Sequence, residues 1–463
     1  MQSFAVIGAG FSGLLTALHL LKAPHAQVTL IERSTSFGTG AAYATGNPDH
    51  LLNVRLGNMS AFPDEPNHLI DWLATHSQWT VQDGFITRGV YGEYLRSLLA
   101  EAMADEGAGN RLTLLRGEAV DLEPRAGGWS VVLDDGFRVE ADAAVLALGN
   151  IEPMTPPGIT PALEETWRYV GDPWRAAASL PSSAHRVLMI GSGLTMVDVA
   201  MSLRSQGRKL LSISRRGLLP RTHGATPDPS DAVQYAGSPV QVLREARRRT
   251  TSREWRDVVD EVRRSARGLW RAWSPQERAS ILRHLRPHWD VHRHRLSTMA
   301  AGQIHQMIAG GDLAVLAGRV VSLDLEGDAV TLTWRPRGAQ RTATRRLDAV
   351  VNCTGPLGDI RQSRSPLIRN LLARELVTPD PNGLGIHVDE HCQPLALSAE
   401  PTPALHAVGP LTRGTFWEIT SVPDLRIQAA EVAAHASRQE NRSAPMWAPS
   451  AAPPSQNRHI PLG

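Results

Sequence analysis

FAVIGAGFSGLLTALHLL, residues 4–21, joins three parts: an apolar run (Phe4 to Ile7), a glycine loop (GAGFSG, Gly8 to Gly13) and a helix-like stretch (Leu14 to Leu21). That order of strand, tight turn and helix is the one a dinucleotide pyrophosphate requires. Gly8 permits the turn, Gly10 lets backbone approach the pyrophosphate at the positive end of the helix, and Gly13 lets the helix lie close on the strand. Nineteen residues after Gly13, Glu32 closes the next apolar run, VTLI, with Arg33 beside it. An acid there accepts hydrogen bonds from a pair of ribose hydroxyls.

A second loop, GSGLTMVD (Gly191 to Asp198), follows VLMI (Val187 to Ile190), so two nucleotides are expected. Gly191, Gly193 and Thr195 belong to its cradle, while Met196 stands where a third glycine would, so its helix has to pack differently. The strand after it, LLSI, ends in Ser214, Arg215 and Arg216, where the first unit has Glu32. Guanidinium groups contact phosphate bidentately, whereas an acid would repel it, so these residues suit a 2′-phosphate. The first nucleotide therefore reads as FAD and the second as NADPH.

A chain of 463 residues is too long for one ordinary core, and two or three lobes are expected. Its net charge of +2 argues against a dedicated nucleic-acid binder, which needs a concentrated basic excess. Cys353 and Cys392 form no CxxC pair, which removes a redox-active disulfide and fits a reducing cytoplasm. The apolar N-terminus is explained by the glycine pattern, and no other run is long enough to span a bilayer; a soluble, cytoplasmic protein without a membrane partner is expected. Metal-ligand, Ser-His-Asp and paired-carboxylate patterns are missing. His292 and His294 lack the spacing of a helical zinc pair and read as phosphate contacts or packing residues.

The fold class that follows is α/β, with two Rossmann-like dinucleotide-binding domains, β-meander connections and a helical insertion. The meander occurs twice, once from Leu112 to Gly149 and again from Leu313 to Gly355, each ending in an apolar strand and a glycine that joins the cofactor candidates. Clustered prolines in residues 151–185 mark the crossing between lobes. The expected division is an FAD domain of residues 1–160 plus 314–436 and an NADPH domain of 184–313, with a helical insertion about 238–294. Trp255, Trp270, Trp273 and Trp289 read as packing residues of that insertion, and its arginines as a solvated helix face or a surface for an acidic substrate or partner. Residues 437–463 read as a disordered tail.

GTGAAYATGNPDHLLNV (Gly38 to Val54), RGVYGEYL (Arg88 to Leu95), SRRGLLPRTH (Ser214 to His223), HRHR (His292 to Arg295), NCTGP (Asn352 to Pro356) and VGPLTRGTFWE (Val408 to Glu418) extend the pattern over both lobes. With these stretches the chain resembles the bacterial FAD/NAD(P)-binding flavoproteins related to N-hydroxylating and flavin-containing (class B) monooxygenases. LNVRLGNMSAFPDEP (Leu52 to Pro66) is similar to the segment in flavin-containing monooxygenases where an asparagine lies beside the isoalloxazine, with the phenylalanine shifted by one residue. The resemblance implies that Asn53 is the catalytic residue and Met59 a cofactor neighbour; alternatively Asn53 caps a turn. It implies also that Gly409 lies near the FAD phosphates and that the helix entered through Pro423 points its N-terminus at the flavin. Pro410 stands where many related folds have an aspartate. Arg413, Trp417 and Glu418 become candidates for the substrate pocket.

The activity implied is that of an NADPH-dependent monooxygenase acting through a flavin C4a-(hydro)peroxide on a nitrogen of an amine or amino acid, with a small-molecule substrate and oxygen as partners. The Baeyer-Villiger core FxGxxxH is absent. Two other readings remain open at this point: an NADPH-driven reductase or oxidase without oxygen insertion, and a flavin-binding regulatory protein whose basic insertion docks another macromolecule.

Overall fold

Strands that are buried on both faces are apolar without alternation, and the runs flanking both glycine loops have that character. The computed structural model describes residues 1–76, 79, 81–224, 233–397 and 402–438. Its strands are β1 (Gln2–Ile7), β2 (Ala26–Glu32), β3 (Leu112–Arg116), β4 (Ala119–Arg125), β5 (Gly128–Leu133), β6 (Arg138–Ala141) and β7 (Ala143–Leu146) in a first unit. A second unit holds β8 (Tyr169–Val170), β9 (Arg186–Ile190), β10 (Lys209–Ser214), β11 (Leu313–Glu326), β12 (Ala329–Pro336), β13 (Ala343–Leu347) and β14 (Ala349–Asn352); β15 (Ala404–Ala407) lies back in the first.

The first sheet runs β15-β7-β1-β2-β3, all parallel, with Val6 opposite Leu30 on one side and Val145 on the other. The second contains the same arrangement as β8-β14-β9-β10-β11, extended antiparallel by β12 and β13. In each sheet the strand order reverses beside the strand that precedes the glycine loop. A crevice at the carboxyl ends of the strands is the consequence.

The two meanders differ in one respect. In the first copy the chain breaks at Gly117, and β4-β5-β6 form a separate sheet. In the second, β11 continues without a break: its first residues pair with β10, the rest turns antiparallel to β12, and a bulge between Val320 and Ser322 absorbs the bend. This corrects the expected division. Residues 314–352 hydrogen-bond into the sheet of β9 and β10, as do Tyr169 and Val170, and so belong to the second unit. The chain crosses between units twice, and the crossings touch at an antiparallel bridge between Ile151 and Leu357.

Helix α1 (Phe11–Leu21) follows the first loop and α2 (Leu194–Leu203) the second. The insertion is four helices, α3 (Pro239–Arg249), α4 (Trp255–Ala272), α5 (Pro275–His284) and α6 (Arg286–Arg293). Its first helix starts at a capping box, Ser238 with Gln241, and α5 at another, Ser274 with Glu277. Helix α7 (Val422–Ala436) closes the first unit. Of the segment expected to be a tail, Ser437 and Arg438 follow α7, and 439–463 lie outside the described residues. Among the described residues no helix is long and apolar enough to cross a membrane.

Candidate functional site

The first cradle is built from missing side chains. A Cβ on Gly13 would lie 1.8 Å from the Gly8 carbonyl oxygen, and one on Gly8, whose φ is +101°, 2.4 Å from that of Ala147. Gly10, at the N-terminus of α1, is different: a Cβ there would meet only Gly40 Cα, at 3.6 Å. Its bareness is an open face at a helix N-terminus, where backbone donors and the helix dipole receive phosphate. Gly409 has φ +84° and sits against Ser12 of the loop, its N–H held by Gln428 of α7 at 2.7 Å. Pro423 lies in the first turn of α7.

Glu32 ends β2 with one carboxylate oxygen accepting from the Ala9 N–H and the other from the Ser34 N–H, both at 2.9 Å. A carboxylate has about four acceptor sites, so two remain for ribose hydroxyls. Beside it opens a cavity of about 280 Å³ bounded by Gly8, Glu32, Arg33, Asn150 and Ser365. Arg33 is engaged there with Glu152 at 3.2 Å. Residues 362–368, which follow the return from the second unit, form the far wall and carry no motif that would have found them.

The second cradle repeats the first. Gly191 has φ +123°, and a Cβ on it would lie 2.1 Å from the Cys353 carbonyl oxygen, as Gly8 faces Ala147. Gly193 caps α2 with nothing within 4 Å of a Cβ, and Thr195 lies in the first turn of that helix. Gly149 and Gly355, at the two meander ends, both have positive φ and open surroundings. Met196, in place of the third glycine, is fully buried in the second core. Where Glu32 braces the first loop, Ser192 braces the second, donating to the Leu218 carbonyl and sharing a hydrogen bond with the Ser214 hydroxyl.

Beyond Ser214, Arg215 and Arg216 line a cleft of about 450 Å³ together with Arg283, Arg319, Arg335 and Arg337. Among the described residues no carboxylate lines it. Arg319 and Arg335 stand directly opposite each other on β11 and β12, an arrangement of like charges that destabilises a sheet unless an anion lies between them. Sequence reasoning missed these four. The signal was available in the hairpin register, which pairs GR at 318–319 with RP at 335–336.

Asn53 lies where the units meet. It lines a small cavity with Leu194 and Val197 of α2, and its backbone carbonyl accepts a hydrogen bond from His223 Nε2 at 3.0 Å. Burial lowers the His223 pKa to about 4, so the ring is neutral and Nε2 carries its proton. Arg55 donates to the Gly224 carbonyl at 2.6 Å. On the other side, Arg88 pairs with Asp198 at 3.0 Å, and His50 donates to the Asp198 carbonyl. Burial raises the Asp198 pKa in spite of Arg88. Met59 is 1% exposed and packs in the first core, so its side chain has no open face toward a cofactor.

The three substrate candidates have different fates. Glu418 is buried, each of its oxygens held by one donor, Trp289 Nε1 at 2.8 Å and Arg293 Nε at 3.1 Å. Burial disfavours its charge, but Arg293, His294 and Trp289 hold its pKa below the usual range. It anchors α6 to the first unit. Arg413 lies over the Trp417 ring at 4.9 Å, with burial lowering its pKa to about 10. Trp417 stacks on Trp270, ring centres 4.5 Å apart, and faces a groove in the insertion.

Arg244, Arg247, Arg248 and Arg264 of the insertion are exposed, as a solvated face requires, but not all of its arginines serve only that face. Along α4, Arg263, Arg267 and Arg271 pair with Asp424, Glu431 and Glu390, all in the first unit. His292 bonds the His288 carbonyl, and His294 is held neutral by burial and Arg293, with its pKa lowered to about 4. Among the described residues no group of three metal-ligating side chains converges. Both cysteines are buried and unpaired.

Residues 5–151 match a family model described as FAD-NAD(P)-binding. Comparison with curated proteins gives no match. Among solved structures, the ornithine N-hydroxylase of Kutzneria sp. 744 superposes with TM-score 0.65 at 16% identity, over 95% of this chain and 100% of that one. The L-lysine 6-monooxygenase of Pseudomonas syringae gives 0.63 at 15%, over 95% and 99%. The cadaverine monooxygenase of Erwinia amylovora, solved with FAD, gives 0.60 at 14%, over 99% and 100%. Over both units, therefore, the chain has the two-dinucleotide fold of the N-hydroxylating flavin monooxygenases, with an FAD-NAD(P)-binding match around its first glycine loop.

Proposed function

We propose that this protein is an FAD-containing, NADPH-dependent monooxygenase that oxidises a nucleophilic nitrogen of a small molecule, with oxygen as co-substrate. The observation that carries the reading is the position of Asn53: on the first unit, against the first turns of α2, the helix that the second glycine loop opens. The fold is that of enzymes hydroxylating ornithine, lysine and cadaverine, one of them solved with reduced FAD, NADP+ and L-ornithine.

Each residue has a physical task in this reading. Gly8, Gly10, Gly13 and Gly409 would receive the FAD pyrophosphate, with Glu32 holding the ribose hydroxyls. Gly191, Gly193 and Thr195 would receive that of NADPH, and the arginine cleft its 2′-phosphate, as a charge-assisted contact that NADH cannot make. FAD bound there would pass electrons from NADPH to molecular oxygen and so supply the oxidant. His223 fixes the backbone of Asn53 and leaves its side-chain amide free to donate and accept at once. The interunit bonds of Arg88, His50 and Arg55 hold the two units together at that junction. Thiol exchange finds no support, because burial pushes the Cys392 pKa up to about 12 and that of Cys353 higher.

The test of the cofactor reading is the double variant Arg215→Ala with Arg216→Ala. Removing charge-assisted contacts of about 1.5–3 kcal/mol each should raise the KM for NADPH at least tenfold while that for NADH stays level. Equal losses for both nucleotides would overturn it. For oxygen insertion the measurement is product formed per NADPH with a panel of amines; peroxide as the sole product with every amine would refute it.

A further inference from the structure

The insertion does more than brace the units. Helices α3 to α6 enclose a groove of about 950 Å³ in which apolar surface far outweighs polar. Trp255, Trp270, Trp273, Trp289 and Trp417 supply its aromatic walls, and Val242, Val259 and Leu243 its aliphatic ones. This volume is at the upper end for small-molecule sites, and its composition is that of a ligand pocket more than of a solvated surface.

Its ionisable lining is one-sided. Arg221, Arg247 and Arg256 and the imidazoles of His284, His288 and His292 border the groove, and no carboxylate does so among the described residues. Three acids close by are taken: Glu418 by Arg293 and Trp289, Glu254 by Arg256, and Asp260 by Arg295. Among the described residues, a cationic amine entering here would leave water for a lining without a carboxylate and with the like charges of Arg221 and Arg247.

The groove also backs onto the junction. Arg256, in its wall, donates to the Thr222 carbonyl at 2.9 Å, and a Cβ on Gly224 would lie 2.8 Å from Arg256 Cδ. From that same extended segment His223 reaches Asn53 and the Gly224 carbonyl accepts from Arg55. The segment 222–224 therefore borders the groove through Arg256 and the junction through Asn53 and Arg55.

We propose that this groove holds the body of the substrate, and that the substrate is a bulky, largely apolar molecule, neutral or anionic at pH 7, carrying a weakly basic nitrogen. The proposal rests on the monooxygenase reading for the reaction but not for the binding. It separates this chain from structural relatives named for ornithine, lysine and cadaverine, which are cations in water. In the reaction one oxygen atom joins the nitrogen lone pair, the other leaves as water, and NADPH with a proton supplies the two electrons.

Two probes and three variants of the FAD-loaded protein test it. The fluorescence of 1-anilinonaphthalene-8-sulfonate reports occupancy; N,N-dimethylaniline, neutral at pH 7.5, should displace it and cadaverine should not. Val259→Glu, which puts a carboxylate in the apolar wall against the anionic probe, should weaken the probe by roughly tenfold or more, and Val259→Met should not. Should Val259→Glu fail to fold, judged by FAD content, Leu243→Trp fills the same groove and should lower affinity likewise. Unchanged affinity in both variants, displacement by cadaverine alone, or no probe binding at all, as for a groove shaped for a partner helix, overturns the proposal. Probe behaviour as expected with no oxygenated dimethylaniline supports the groove and refutes the monooxygenase reading instead.

Discussion

At the end of β2 stands a carboxylate and at the end of β10 a pair of guanidiniums, equivalent places in two copies of one arrangement. Charge sign alone separates a bare ribose from a phosphorylated one. Glu32 is held ready by two backbone donors, whereas Arg215 and Arg216 share a cleft with four more arginines and, among the described residues, no carboxylate, and this difference has a measurable consequence. Arg335→Ala should relieve the repulsion with Arg319 and stabilise the protein by about 0.2–1 kcal/mol while raising the KM for NADPH, read by thermal unfolding and steady-state kinetics. A loss of stability with unchanged KM would mean that the pair has another purpose. For Asn53→Ala, NADPH consumption should continue while product per NADPH falls and peroxide rises. Unchanged coupling would remove Asn53 from the chemistry.

Among elements, the glycine loops and their flanking strands were legible because each task requires a particular residue type at a particular place. A Cβ 1.8 Å from a carbonyl leaves only glycine at position 13, and the loop announces itself. The unbroken β11 was not legible, since Gly318 reads as a break just as Gly117 does, and only the bulge after Val320 shows that the strand bends through. Hence the misplaced domain boundary. Arg263, Arg267 and Arg271 were misread for a different reason: Asp424, Glu431 and Glu390 lie more than a hundred residues away in sequence, and no local pattern encodes their partners. Glu418 was singled out as a pocket candidate, but its buried pairing with Arg293 makes it an anchor. Glu418→Ala should destabilise the protein by about 3–5 kcal/mol, because Arg293 would be left buried without its counter-charge. Urea unfolding measures this; a change under 1 kcal/mol would show that the pair is solvated.

At the scale of the whole molecule, four histidines among the described residues are kept neutral by burial: His19, His223 and His294 with pKa values lowered to about 4, and His406 to about 3. Unfolded, each titrates near 6.5. Their depressed values contribute stability that is complete above pH 6.5 and is lost as pH falls toward 4, since the unfolded chain binds the protons first. The urea midpoint should therefore drop between pH 7.5 and 5.0, and a flat profile would contradict the burial of these rings. The double crossing at Ile151 and Leu357 bears on ancestry and engineering alike. Because entry and exit lie side by side, the second unit is topologically a long excursion from a single point of the first. A short glycine bridge at that point could replace the excursion, and whether the bridged first unit folds alone would tell if it depends on its guest.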